Sequence, residues 1–131
     1  MTPPTGPPAP RPPYAVGETL GLDLPAPAIV VFVKSTCPYC TASAAFYRAL
    51  AAELVPLVVV SAEPEGVTRA YLRKLQVEAD EVRVVTGAMV RFRVTPSIVT
   101  LDREGKVTGS WQGQLPPEQE QDVLKAVKVV R

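Results

Sequence analysis

Apolar residues along this chain fall into short unbroken runs and longer spaced stripes, and the alternation of the two predicts the order of elements. Ala28–Val33 (AIVVFV) is a continuous run rich in β-branched residues, which suits a central strand buried on both faces. Beyond the Cys-Pro step, SAAFYRALAAEL repeats apolar residues at helical spacing through Ala44, Phe46, Tyr47, Leu50, Ala51 and Leu54, predicting one helix. Pro56 follows that helix, and Leu57–Val60 reads as a second buried strand. A further helix is predicted from about Gly66 to Val77, with Val67, Ala70, Tyr71, Leu72 and Leu75 as its apolar surface. Val82–Val85 reads as a short strand, and Gly87–Phe92 as one or two helical turns. Ser97–Leu101, the tight turn Asp102-Arg103-Glu104-Gly105 and Lys106–Trp111 form a hairpin. Pro116-Pro117-Glu118 opens a last helix, where a missing N–H does no harm, and Val123, Leu124 and Val127 supply its buried stripe.

The order strand, helix, strand, helix, strand, strand, strand, helix predicts an α/β fold. Early βαβ units imply parallel pairing and the late hairpin implies an antiparallel edge, so the central sheet should be mixed and flanked by helices. Residues 14–27 read as irregular with at most one short strand. The segment 1–13, MTPPTGPPAPRPP, holds seven of the fifteen prolines and reads as a semi-extended tail or linker ahead of a single domain over residues 14–131.

Composition narrows the chemistry more than the fold. At 131 residues the chain can bury an adequate core without disulfides or a metal. A net charge of +1 gives no general attraction to nucleic acid or anionic lipid, so no nucleic-acid partner is expected. No run reaches the ~18 to 20 apolar residues of a membrane span, and Met1 is followed by prolines instead of a basic and then an apolar region. Two cysteines and no histidine exclude histidine acid/base work, a cysteine–histidine nucleophile pair and a mixed cysteine–histidine zinc shell within one chain. Thiol chemistry remains.

Both cysteines stand in KSTCPYC, directly after the first strand and at the start of the first helix. At that position unpaired backbone N–H groups favour a thiolate on Cys37, while Cys40 lies on the same face about one turn deeper and within reach of a disulfide. Pro38 suits the first helical position, and Tyr39 sets an aromatic group beside the reactive sulfur. Such a pair can attack a target disulfide through Cys37 and release the reduced target through Cys40. Three other readings compete: an inert buried pair, which the helix-start position disfavours; a metal site completed by a second chain; and a structural disulfide, whose short loop constrains little of the unfolded chain.

These residues resemble the thioredoxin superfamily, whose usual signature is a C-x-x-C beside a βαβ pattern. VVFVKSTCPYC is similar to the active-site segment of dithiol glutaredoxins, down to Lys34 three residues before the first cysteine. VRFRVTPSIVTLDREGKVTGSWQG is similar to the second half of thioredoxin and of TlpA-like or redoxin-type thiol:disulfide oxidoreductases. The resemblance covers roughly residues 28–113. It implies a thioredoxin-like fold, a cis peptide bond at Thr95–Pro96 beside the cysteine pair, and a substrate-binding role for the backbone of Thr95. Two departures stand out. Where glutathione-binding glutaredoxins carry a Gly-Gly-x-Asp-like element this chain has Gly109-Ser110-Trp111-Gln112-Gly113, and Val31 and Thr36 replace the buried acid and the tryptophan of thioredoxins. Water or another carboxylate would have to manage the Cys40 proton. Asp102 and Glu104 read as turn residues, and Trp111 as packing.

The resulting expectation is a thiol:disulfide oxidoreductase acting on protein cysteines, with Cys37 as nucleophile, Cys40 as resolving thiol, and Lys34, Thr36, Pro38 and Tyr39 in support. A glutathione-dependent glutaredoxin is the alternative. A non-enzymatic module whose cysteines help bridge an iron–sulfur cluster between two chains ranks last. No metal and no cofactor beyond the redox-active cysteine pair is expected, with glutathione as a candidate co-substrate. Partners would be protein thiols or disulfides and a redox partner, and the protein would be a monomer. The motif leaves the direction of electron flow open, and by analogy with glutaredoxins Pro-Tyr suggests an intermediate potential. The TlpA-like half and the proline-rich tail fit an extracytoplasmic domain, periplasmic or at the cell surface, released from an anchor or signal; a cytoplasmic protein with a natural proline arm is the alternative.

Overall fold

A computed structural model describes residues 14–131. The predicted proline-rich tail lies outside the described residues. Five strands form one sheet: β1 (Ala28–Phe32), β2 (Leu57–Ser61), β3 (Glu81–Val84), β4 (Ser97–Leu101) and β5 (Val107–Gln112), in the order β3-β2-β1-β4-β5. β1 pairs in parallel with β2, and β2 with β3, whereas β4 runs antiparallel to both β1 and β5. The mixed sheet predicted from the βαβ order and the terminal hairpin is therefore present. Among the described residues, no helix is long and apolar enough to cross a membrane.

Alternation along the strands divides the buried residues between two cores. Ile29, Val31, Leu57, Val59 and Ile98 face a cluster that takes in buried residues of all four helices, α1 (Pro38–Ala42), α2 (Ala44–Ala51), α3 (Glu65–Leu75) and α4 (Pro117–Val130). Ala28, Val30, Val58, Val60, Val99 and Leu101 face the opposite side, where the cover is irregular chain: Tyr14, Leu20, Val85, Val90 and Phe92. A continuous apolar run such as AIVVF is explained by this arrangement, because both faces of β1 are dry.

The irregular cover is held by named contacts. The Arg91 backbone N–H donates to the Tyr14 hydroxyl at 2.8 Å, and the Arg91 guanidinium lies 4.5 Å from the Tyr14 ring centroid while also pairing with Glu18. Phe92 stacks on Phe32 with centroids 5.2 Å apart and meets the Tyr14 ring edge-on at 5.1 Å. Residues 17–19 lie along the outer edge of β5 through Gly17 N–H to Val107 O and Val107 N–H to Glu18 O, both 2.8 Å, which covers part of an edge strand.

Two sequence expectations are corrected. Residues 87–92 do not form helical turns beyond 87–89: that turn is followed by chain without regular structure in which Val90 and Phe92 are buried and Arg91 and Arg93 exposed. That is a period of two, the pattern of chain lying flat on a sheet face. The helix predicted from the Cys-Pro step is broken at Ser43, whose φ of −92° and ψ of 7° leave the helical region and whose hydroxyl donates to the Tyr39 carbonyl at 2.8 Å. Serine bonding back to the preceding turn bends helices in this way. Because α2 then stops at Ala51, Leu54 falls beyond it and is 82% exposed, while Val55 turns inward instead.

This placement predicts opposite outcomes for two leucines of the same predicted stripe. Leu50→Ala, at a fully buried site in α2, should lower unfolding free energy by about 2–5 kcal/mol. Leu54→Ala should change it by less than about 0.5 kcal/mol. Urea denaturation of the two variants checks both; equal effects would mean that α2 continues past Ala51.

Candidate active site

The register of β1 against β4 assembles the site. Phe32, the last residue of β1, lies opposite Ser97, the first of β4, so the loop leaving β1 meets the residues entering β4. Cys37 and Thr95, 58 residues apart in sequence, touch there: the Cys37 thiol donates to the Thr95 carbonyl at 3.3 Å. The Thr95–Pro96 bond is cis, as is Ala26–Pro27. Pro96 is buried and its carbonyl accepts from Gly113 N–H at 2.7 Å, which fixes the segment to the end of β5.

Cys37 is itself the N-cap of α1, with extended backbone (φ −87°, ψ 114°) and Pro38 in the first helical turn. Its sulfur accepts the backbone N–H of Cys40 at 3.4 Å, the place a serine or aspartate oxygen would take in an ordinary cap. Burial pushes the Cys37 thiol up, but the Thr95 side chain, the Cys40 thiol and the backbone N–H groups of Cys40 and Tyr39 outweigh it, and the net lies below the ordinary thiol value. Cys40 behaves oppositely. Its burial, with Cys37 close by, pushes it up to about 12 despite favourable contacts from the Lys34 backbone and Thr95. Both cysteines are free thiols; Cys37 keeps 8% of its surface and Cys40 none, so only Cys37 can meet an external sulfur.

The loop before Cys37 is pinned by a residue that pattern reading missed. Glu63 accepts from both the backbone N–H and the hydroxyl of Ser35, each at 2.7 Å, and its own N–H donates to Ser61 Oγ at 3.0 Å. Only the parallel pairing of β1 with β2, Phe32 beside Val60, brings Glu63 to Ser35, so no local signal marked it. Two phenols were likewise read as packing alone. Tyr71 shares a 2.7 Å hydrogen bond with the Thr41 hydroxyl, joining α3 to α1, and Tyr47 of α2 lies in the same buried cluster as the cysteines.

The other predicted residues take the following places. Lys34 is exposed and contributes its carbonyl, which accepts Cys37 N–H at 3.0 Å; Thr36, Pro38 and Tyr39 are also exposed, Tyr39 by 59%. Val31 is buried in the Cys40 cluster at the position where thioredoxins keep an acid, and the groups that shift Cys40 are Cys37, Lys34 and Thr95, none of them a carboxylate. Asp102 closes its turn by accepting from Glu104 N–H and Lys106 N–H, and Trp111 packs against the helical core. Beside Thr95 opens a cleft of about 480 Å³ lined by Phe32, Lys34, Glu63, Phe92 and Arg93. Among the described residues no group of three or more His, Cys, Asp or Glu could hold a metal ion.

Comparison with known proteins agrees with this geometry. No curated protein sequence matches the chain. Among solved structures, a putative thiol:disulfide interchange protein DsbE from Chlorobium tepidum superposes with a TM-score of 0.68 at 21% identity, covering 87% of this chain and 99% of that one. A thio-disulfide isomerase from Thermus thermophilus superposes with a TM-score of 0.61 at 25% identity, over 79% of this chain and 80% of that one. A secreted disulfide oxidoreductase of Mycobacterium tuberculosis gives 0.61 at 19% identity, over 78% and 80%. The model of the thioredoxin-like domain family matches residues 24–128, a span that holds every strand, both cysteines and Thr95–Pro96. The chain belongs to the thioredoxin-like domain family.

Proposed function

We propose that this protein, a thiol:disulfide oxidoreductase by family and fold, exchanges disulfides with protein cysteines through Cys37 and Cys40. The observation that carries the reading is the split between the two thiols: a sulfur that keeps a little accessible surface and lies below its ordinary pKa, beside a fully buried one held at about 12. The Cys37 thiolate attacks one sulfur of a target disulfide, forming a Cys37–target disulfide as the other target sulfur leaves and takes a proton from solvent. Cys40 then attacks the Cys37 sulfur. A Cys37–Cys40 disulfide forms, the Cys37–target bond breaks, and the second target sulfur leaves as a thiol. In the reverse direction the same pair oxidises a dithiol. The Thr95 N–H, together with the Thr95 carbonyl once Cys37 has lost the proton it donates there, would align an extended target strand beside Cys37, which is the role proposed for Thr95 and Pro96. No resident cofactor is needed for this exchange.

A second reading, exchange with glutathione, is favoured by the cleft beside Thr95, where Lys34 and Arg93 offer two cations to a small peptide with two carboxylates. The likeness to a secreted mycobacterial oxidoreductase supports work outside the cytoplasm.

Three measurements test these readings. Cys37→Ser should reduce a disulfide-bearing protein substrate no faster than background, while Cys40→Ser should accumulate a covalent mixed disulfide visible on a non-reducing gel. A lowered Cys37 pKa means more thiolate at any given pH, so alkylation of reduced protein should reach half its maximal rate below the ~8.5 of a free thiol, with Cys40 still unmodified there. A midpoint at or above that value would remove the proposed activation. For glutathione, turnover of hydroxyethyl disulfide should show a KM that rises several-fold in Arg93→Ala; absence of turnover with glutathione would leave protein cysteines as the substrates.

A further inference from the structure

The exchange mechanism asks for a negative charge on a buried sulfur that its favourable contacts, the Lys34 backbone and Thr95, still leave at about 12. Cys40 has no exposed surface and must ionise, at least in passing, to attack Cys37. Val31 occupies the place of a buried acid, and no carboxylate is among the groups that shift Cys40. A buried thiolate carries a large desolvation cost, and each further hydrogen-bond donor offsets part of it.

One donor lies in that region without a partner. Tyr47 is 2% exposed and its hydroxyl makes no hydrogen bond, one of only two buried side-chain polar atoms in that condition among the described residues. Native proteins satisfy nearly all such groups, so an orphan hydroxyl asks for an explanation. Its location supplies one. Cys40, Ser43 and Tyr47 follow one another at helical spacings of three and four along the face that α1 and α2 turn to the core, and all three are buried. Side chains on a helix lean toward its N-terminus, and at position 47 that is the end of α2 next to Ser43 and α1, in the buried cluster that holds Cys40. The Ser43 hydroxyl proton is already committed to the Tyr39 carbonyl. Burial and a charge on Cys40 push the Tyr47 phenol well above its ordinary value, with the Ser43 hydroxyl easing the shift and Tyr71 and Cys37 adding to it. The phenol therefore stays protonated.

We propose that Tyr47 holds the transient thiolate of Cys40: its O–H donates a hydrogen bond to the Cys40 sulfur as that sulfur loses its proton and attacks Cys37. Tyr47 is not the base. A neutral phenol offers an O–H donor, and its oxygen does not take up a proton near neutral pH. With an alkyl thiol as leaving group the Cys40 proton ends on that thiol, so the step reads Cys40–SH plus Cys37–S–S–R giving Cys37–S–S–Cys40 plus R–SH; an acidic aromatic thiol leaves as its thiolate and the proton goes to solvent. Nothing else is oxidised or reduced. Tyr47 thus does by hydrogen bonding part of what a buried acid does by charge, and the break at Ser43 sets the angle at which α2 presents it.

The inference rests on the proposed exchange, and a single-turnover reaction separates the two. Reduced protein mixed with an aromatic disulfide that yields a coloured thiolate, such as dithiobis(nitrobenzoate), releases one equivalent when Cys37 attacks and a second when Cys40 resolves. In Tyr47→Phe, which removes one oxygen atom and no packing, the first release should be unchanged and the second slowed by about tenfold, the scale of a lost hydrogen bond to a charged group. Thr68→Val, which removes the other orphan hydroxyl, should alter neither release. The midpoint of the Cys37–Cys40 pair in a glutathione buffer should be the same in Tyr47→Phe as in the parent, since Cys40 is uncharged in both end states. A second release as fast in Tyr47→Phe as in the parent would overturn the role of Tyr47. Absence of the first release in the parent protein would instead overturn the exchange reading itself.

Discussion

The pairing of β1 with β4 is the constraint on which the site depends. Antiparallel strands in the register Phe32 opposite Ser97 place the exit of one strand against the entry of the other, and that junction is where Cys37 meets Thr95. A shift of one residue would turn every inward valine of β1 toward the wrong core and move the Thr95 carbonyl off the sulfur. The same apolar packing that fixes register therefore fixes chemistry. Hydrophobic burial on both faces of β1 is non-directional, but through the pleat it acts on direction.

Around that junction the two sulfurs are made unlike by position alone. Cys37 occupies a cap, where backbone donors have no helical partner, and Cys40 occupies the next turn, where the helix is closed and the core is dry. No charged side chain is needed to separate them. The chain achieves with a turn of helix and a strand register what many sites achieve with a histidine or an acid.

Much of this was legible in the residues. The βαβ order, the Asp102–Gly105 hairpin and the helix-start position of Cys37 each leave a local mark: unbroken β-branched runs, a turn closed by an aspartate, a proline after a cysteine. What was not legible depends on tertiary placement. Ser43 looks like any serine in a helical stripe until its hydroxyl finds the Tyr39 carbonyl. Val90 and Phe92 fit a helical turn as well as an extended segment, and the choice is made by a sheet face that local sequence does not describe. Glu63 and Tyr47 gain their meaning only from what lies opposite them, Ser35 across a loop and Cys40 along a bent helix.

The two faces of the sheet carry different burdens. Buried residues of all four helices share one core, while the other is roofed by irregular chain whose Phe92 stacks on Phe32, at the end of the very strand that leads to Cys37. Three residues beyond Phe92 the same roof becomes Thr95. Arg93, exposed on that roof and lining the cleft beside Thr95, can be exchanged without disturbing helix packing, yet its exchange changes the charge beside the cysteine pair. In a fold arranged this way, specificity can drift while the thiol chemistry stays put.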